Sequence, residues 1–287
     1  MFSVEKFAEK VFKIRFFEES LENLFQDQKI FGTFHRCIGQ EAVAVAFTLN
    51  LDNEKDFVVS NHRNHGHYLA FKEKYQSLYD ELRGKDNGVS FGNGGSQVLM
   101  QNNFFSNGIL GTTISIATGI AMGFKLKKLN NMVVCFLGDG ALGPGITYES
   151  FNLASLYKLP ILFVIENNGI AQTTLLKDSL AGDINKRLDA FGIKIHDTVG
   201  DDIDGMIKLG YNLISEIKSQ NGPQAVHVKL NRLCAHSKGD DFNNNKIFNK
   251  INDPIDNLEK KIDKKTFNQI REKSKKFIDN FVKSFYK

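Results

Sequence analysis

Two apolar runs end in polar residues whose types could hold a metal-bound phosphate. Residues 133–137 run into Gly138-Asp139-Gly140, and residues 161–165 run into Glu166-Asn167-Asn168. Both read as buried strands. Between them, residues 148–158 fit one helical crossover closed by Leu159-Pro160. A strand–helix–strand unit of this length makes the strands parallel, with both tips on one edge of the sheet. Asp139 and Asn168 then face one ligand, at the edge where open α/β sheets bind cofactors. One carboxylate and one amide oxygen are hard ligands that suit magnesium, which completes its octahedron with phosphates and water. Glycines beside Asp139 let a phosphate approach the backbone closely, with N–H groups at the following helix start assisting. The constellation predicts a magnesium diphosphate. The alternative is a strand end with an N-capping Asp and an Asn-Asn-Gly turn, which the spacing and the two strands disfavour.

Histidines are the other chemically able residues. His35 and His236 lie in loops beside small or polar residues, where a neutral imidazole can shuttle protons near pH 7. The bland alternatives are a helix cap for His35 and a solvent-exposed loop residue for His236. His62, His65 and His67 invite a zinc reading. It is weak, because no cysteine or carboxylate stands at a familiar ligand spacing.

The elements that must position these residues follow from periodicity. Residues 4–29 carry apolar side chains at three- and four-residue steps, an amphipathic helix. The loop 32–41 opens a second helix through residues 42–49, and Glu41 reads as part of that opening. Residues 56–60 form a short strand feeding the basic cluster 62–67. Residues 84–111 are rich in glycine and asparagine, and a loop this long inside a compact domain is more often functional than idle. Residues 112–129 form a helix whose Ala117, Gly119, Ala121 and Gly123 suit close packing under the sheet. Strands are expected at 192–195 and 225–230, around a helix at about 202–219, which continues the βα alternation. Residues 237–256 are polar, a loop or linker, and the tail from 257 is helical by composition.

Composition excludes some function classes. The net charge is +4 over 287 residues, and no basic face with interleaved aromatics supports nucleic-acid binding. No apolar run is long enough to span a bilayer. Cys37, Cys135 and Cys234 form neither a metal-ligand spacing nor an even disulfide set. Reduced thiols and a start without a signal-peptide core read as a cytoplasmic protein.

The Gly-Asp-Gly and Asn-Asn pattern at this spacing resembles the thiamine diphosphate motif. Over residues 4–242 the chain resembles the alpha subunit of the thiamine-diphosphate-dependent decarboxylating component of the 2-oxoacid dehydrogenases, of the pyruvate, branched-chain and acetoin type. The likeness runs in order through Gly32-Thr33-Phe34-His35, Gly39-Gln40-Glu41-Ala42 and His62-Arg63-Asn64-His65-Gly66. It continues through Gly94-Gly95-Ser96, Gly108-Ile109-Leu110-Gly111, the two strand tips, Arg232, His236-Ser237 and Asp240-Asp241. It implies a thiamine-diphosphate-binding α/β fold, a mostly parallel sheet with helices on both faces, over residues 1–242. Residues 243–287 would be a polar linker and C-terminal helical tail. Asp139, Asn168 and the Ile170 carbonyl would ligate magnesium. Arg63 would pair with the diphosphate, with backbone N–H groups of Gly140 and Ala141 beside it. Carbonyls of Gly108 and Leu110 would hold the aminopyrimidine, and Gly138, His65 and Arg232 would complete the cofactor site. His35 and His236 would be the proton donors.

The resemblance further implies an oxidoreductase that decarboxylates a 2-oxo acid and passes the acyl unit to an acceptor, usually a lipoyl group. It implies a separate beta subunit in an α2β2 assembly, since the glutamate that activates the cofactor resides there and nothing here stands out as that residue; Glu166 reads as a strand-end residue. A lipoyl acyltransferase would be a further partner. The sequence departs from the family pattern at Gln97-Val98 (Met-His in relatives), His62 (tyrosine), Gly143-Pro144-Gly145 (Asn-Gln-Gly) and Ala235 (glycine). None touches the metal pair, so these departures leave open the 2-oxo acid and the acceptor. They also leave two alternatives: a split, transketolase-like carboligase, and a non-catalytic partner that binds the cofactor.

Overall fold

Strands buried on both faces need apolar side chains at successive positions, and the two runs that precede Gly138 and Glu166 supply them. The computed structural model describes residues 3–219, 222–237 and 250–286. The chain begins with helices α1 (Val4–Gln26) and α2 (Glu41–Thr48), strand β1 (Phe57–Ser60), and helices α3 (His65–Lys72) and α4 (Tyr75–Leu82). Strands β2 (Met100–Gln101) and β3 (Phe104–Ser106) lead into helix α5 (Thr112–Leu126) and strand β4 (Val133–Gly138). A 3-10 turn (Asp139–Leu142), helix α6 (Gly145–Leu156) and strand β5 (Ile161–Asn167) follow. A hairpin of β6 (Ile170–Ala171) and β7 (Thr174–Leu175) precedes helices α7 (Leu176–Ser179) and α8 (Ile184–Asp189). Strand β8 (Lys194–Val199), helix α9 (Ile203–Lys218), strand β9 (Gln224–Lys229), and helices α10 (Pro254–Lys261) and α11 (Lys264–Lys283) complete it.

Seven strands form one sheet in the order β2-β3-β1-β4-β5-β9-β8, parallel except where β2 runs against β3. Side chains alternate between its two faces, as strand geometry requires. Val134, Phe136, Leu162 and Val164 pack with α1, α2 and α9 on one side. Val133, Cys135, Ile161 and Phe163 pack with α5, α6 and α8 on the other. This is the mostly parallel α/β architecture with helices on both faces that the sequence implies.

Local departures have local causes. Gly192 turns the chain at φ 68, so the strand expected from 192 begins at Lys194. Helix α6 starts at Gly145 because Pro144, in an extended conformation, serves as its N-cap. In α5, Ala117 and Ala121 face the sheet as expected, but Gly119 and Gly123 do not. A Cβ added at either glycine would meet nothing within 4 Å.

The glycine-rich stretch is ordered by one carboxylate. Glu81, at the end of α4 and 1% exposed, accepts backbone N–H bonds from Ser90, Gly92, Gly94 and Gly95 at 2.6–3.0 Å. Gly94 has no room for a side chain, since a Cβ would lie 1.8 Å from the Val98 carbonyl oxygen.

The tail packs into the main core. Phe267 and Ile278 of α11 join Phe7 and Phe12 of α1, and Asp253, the N-cap of α10, pairs with Arg15 at 2.9 Å. The boundary expected near residue 242, most of the polar stretch 237–256, and Asp240-Asp241 lie outside the described residues. Arg15 also pairs with the fully buried Glu41, which accepts the Gly39 N–H at 3.0 Å. Replacing Arg15 with Met strands that carboxylate. We expect a loss of about 3–5 kcal/mol in a urea melt, with part of it recovered when Glu41 is also replaced by Met.

Candidate active site

Parallel strands send their C-terminal ends to one edge, and five of them deliver side chains to one cavity of about 280 Å³. From β1 come His62 and Arg63, from β3 Gly108 and Leu110, and from β4 Gly138, Asp139 and Gly140. From β5 come Glu166, Asn168 and Ile170, and from β9 Arg232 and His236. His35, in the loop between α1 and α2, closes the wall.

Asp139 is 4% exposed. Its Oδ1 accepts the Gly140 N–H at 2.9 Å, while its Oδ2 is buried without a partner among the described residues. Burial pushes the carboxyl up to about 6, against the pull of the Gly140 N–H. An orphaned carboxylate oxygen facing a polar cavity fits a cation. Beside it, the Asn168 Oδ1 accepts the Ile170 N–H at 3.1 Å and lines the same cavity. Asn167 turns inward, bonding Gly169 and His227 at 2.9 Å each. A Cβ at Gly138 would meet nothing within 4 Å, so the backbone at the β4 tip stands open to a ligand. Carboxylate, amide and carbonyl oxygens form a donor set for magnesium.

Two residues expected at the cofactor do not line this cavity. His65 opens α3, is fully buried and is absent from the cavity wall; Glu18 at 3.1 Å and Ser96 at 2.9 Å engage its two ring nitrogens. Ala141 is buried in the turn after Gly140, with its carbonyl bonded to Thr147 at 2.6 Å, and it too is absent from the wall. The helix also divides the histidine trio weighed for zinc. His65 faces α1, while His67 stacks on Phe136 at 3.8 Å and bonds Ser60 and Glu166. Only His62 reaches the cavity.

A different trio forms. The rings of His35, His62 and His236 lie 4.7–5.4 Å apart between centroids. The guanidiniums of Arg63 and Arg232 approach His236 Nδ1 at 3.4 and 3.1 Å. Guanidinium only donates, so Nδ1 accepts and the ring proton sits on Nε2. Arg63 also donates to the carbonyls of Arg36 and His236. Burial, with neighbouring His62 and Arg63, lowers His35 to about 2; burial, with Arg63 and His236, lowers His62 to about 3.

Sequence reasoning missed several wall residues, Glu166 and His62 among them. Glu166, read as a strand-end residue, lines the cavity, 4% exposed, 3.3 Å from His67. From the sequence His62 reads only as a weak metal ligand; its departure from the family tyrosine is the available signal. Gln97, another departure, also lines the wall. Its Oε1 lies 2.1 Å from where a Cβ on Gly108 would stand, so a side chain at position 108 would displace the Gln97 amide.

Both lowered histidines stay neutral in the folded chain but protonate in the unfolded chain below the ordinary value of 6.5. Stability is therefore fully present above that value and falls as pH drops below it. Between pH 7.5 and 5.5 we expect these two to contribute a loss of about 2–3 kcal/mol. Urea melts across that range check this, and a His35→Asn, His62→Asn double variant should show a flatter profile.

Comparison with known proteins identifies the family. The family described as the dehydrogenase E1 component matches residues 9–284. A pyruvate dehydrogenase E1 component subunit alpha of Zymomonas mobilis is 33% identical over 264 residues, covering 89% of this chain and 75% of that one. The Rhizobium meliloti protein of the same name is 35% identical, covering 79% of this chain and 66% of that one. The alpha subunit of the acetoin:2,6-dichlorophenolindophenol oxidoreductase of Bacillus subtilis is 33% identical, covering 81% and 71%. The chain belongs to the dehydrogenase E1 component family, as an alpha subunit of its thiamine-diphosphate-dependent 2-oxoacid dehydrogenases.

Proposed function

We propose that this chain anchors the diphosphate end of thiamine diphosphate through magnesium and supplies proton donors for decarboxylating a 2-oxo acid. The acyl unit then passes to an acceptor such as a lipoyl group. The observation that carries the reading is the buried Oδ2 of Asp139, without a partner among the described residues, in one cavity with Asn168, His35 and His236. Asp139, Asn168 and the Ile170 carbonyl would hold Mg2+. Arg63 and Arg232, with the open backbone at Gly138 and the neighbouring Gly140 N–H, would hold the diphosphate. Carbonyls at Gly108 and Leu110 would hold the aminopyrimidine. When bound, the cofactor supplies the nucleophilic carbon and the electron sink for loss of carbon dioxide. The chain's own part is to position, to exclude water, and to hold protons at imidazole nitrogens. His236, oriented by two guanidiniums, presents its Nε2 proton, and buried His35 remains a neutral donor or acceptor.

A beta subunit would complete the site, in an α2β2 assembly. Exposed apolar side chains at Ile109 and Leu110, next to the cavity, support a covering partner. Asp139 and Glu166 are the acidic residues among the described wall, and Glu166 is engaged by His67. A lipoyl acyltransferase is the natural acceptor partner. We place the enzyme in the cytoplasm, a reading supported by three buried cysteines without disulfides. Among the described residues, no helix is long and apolar enough to cross a membrane.

Asp139→Ala should abolish magnesium-dependent binding of thiamine diphosphate in calorimetry, and retained binding would count against the whole site. Substituting His35 or His236 with Ala should leave cofactor affinity nearly intact and cut turnover of the assembled enzyme by about 10²-fold or more. Unchanged turnover in both variants would remove their catalytic role. The purified chain alone should not turn over 2-oxo acids; full activity without a partner would overturn the two-subunit reading and direct attention to Glu166.

A further inference from the structure

His62 lines the cavity, and among the described residues none hydrogen-bonds its ring nitrogens. His35, 6% exposed, faces it with a buried Nδ1 that has no partner among the described residues. Ligand atoms of His35, His62 and His236 lie within 4.8 Å of one another. That spacing invites a soft metal ion, but the surroundings oppose one. Arg63 and Arg232 place two positive charges beside His236 and direct their N–H donors at its Nδ1. A cation there would displace those bonds and meet both charges at short range.

The wall suits an oxygen-bearing organic group instead. A neutral imidazole offers one donor and one acceptor. An apolar substituent covering His62 and His35 would bury their nitrogens unpaired, a penalty that a hydroxyl or carboxylate avoids. We propose that His62, paired with His35, is a specificity-determining residue that hydrogen-bonds a hydroxyl or carboxylate on a substrate beyond its reacting carbons. This rests on the decarboxylating function proposed above. The oxygen-bearing group has two possible sources, the side chain of the 2-oxo acid or an aldehyde acceptor of the acyl unit.

The test uses the enzyme assembled with its beta subunit, loaded with thiamine diphosphate and magnesium, as wild type, His62→Phe and His62→Asn. One arm compares pyruvate and 2-oxobutanoate with hydroxypyruvate and 2-oxoglutarate, following decarboxylation with an artificial electron acceptor. The other compares acetaldehyde with glycolaldehyde as acceptors in carboligation from pyruvate. In at least one arm the wild type should prefer the oxygen-bearing probe. There His62→Phe should lower the kcat/KM ratio of oxygen-bearing to apolar probe by about tenfold, mainly through KM, and His62→Asn should restore part of it. Calorimetry should show His62→Phe binding the cofactor as wild type does, which separates lost recognition from a lost cofactor. A ratio independent of His62 in both arms, with turnover intact, overturns this proposal alone. Absence of wild-type turnover of every 2-oxo acid overturns the underlying function, and this proposal with it. Zinc found in the wild type and lost in His62→Phe would make the trio a metal centre and overturn the specificity role.

Discussion

Parallel pairing of β4 with β5 is the constraint on which the site depends. Hydrogen bonding holds Gly138 opposite Glu166, so both strands end at one edge of the sheet within a residue of each other. Asp139 follows β4 and Asn168 follows β5 directly, and both therefore leave from that edge. Both strands are buried on both faces, and a one-residue slip would exchange Val134 and Phe136 with Cys135 and Leu137 between two differently packed cores. Packing on either side of the sheet thus holds the carboxylate and the amide in position.

Buried charge around the site is handled in two ways. Where a group is structural, its partners are within the chain. Arg15 joins Glu41 to the tail at Asp253, and Glu81 gathers four backbone N–H groups of the loop leading to Gly108. Where the group faces the cavity, a partner is missing among the described residues, as for Asp139 Oδ2 and His35 Nδ1. Leaving a polar atom buried and unpaired destabilises a fold. On the cavity wall, a bound group could satisfy both of these atoms.

The imidazole wall and the carboxylate–amide wall are built differently. Asp139 and Asn168 follow directly on strands whose geometry leaves little freedom. His35, His62 and His236 come from three separate loops, and their contact sets what else can enter. Loop residues change without disturbing the sheet, so a chain can keep its cofactor while altering its substrate.

Much of this was legible in the sequence, for reasons of short range. The apolar runs, the crossover length and the residues at each tip specify a parallel unit with Asp139 and Asn168 on one edge, because strand period and connection length are local properties. The family motifs, read in order, carried the identity of the cofactor. Tertiary structure decided the rest. Helix α3 begins at His65, and residues two apart on a helix face different ways. It therefore sent His65 to Glu18 and His67 to the sheet, where sequence showed three neighbouring histidines. His62 met His35 and His236 across 27 and 174 residues, and Glu166 reached the cavity by its place beside the end of β4. Contacts at such separation arise from how layers stack on the sheet, and no local pattern of residues encodes them.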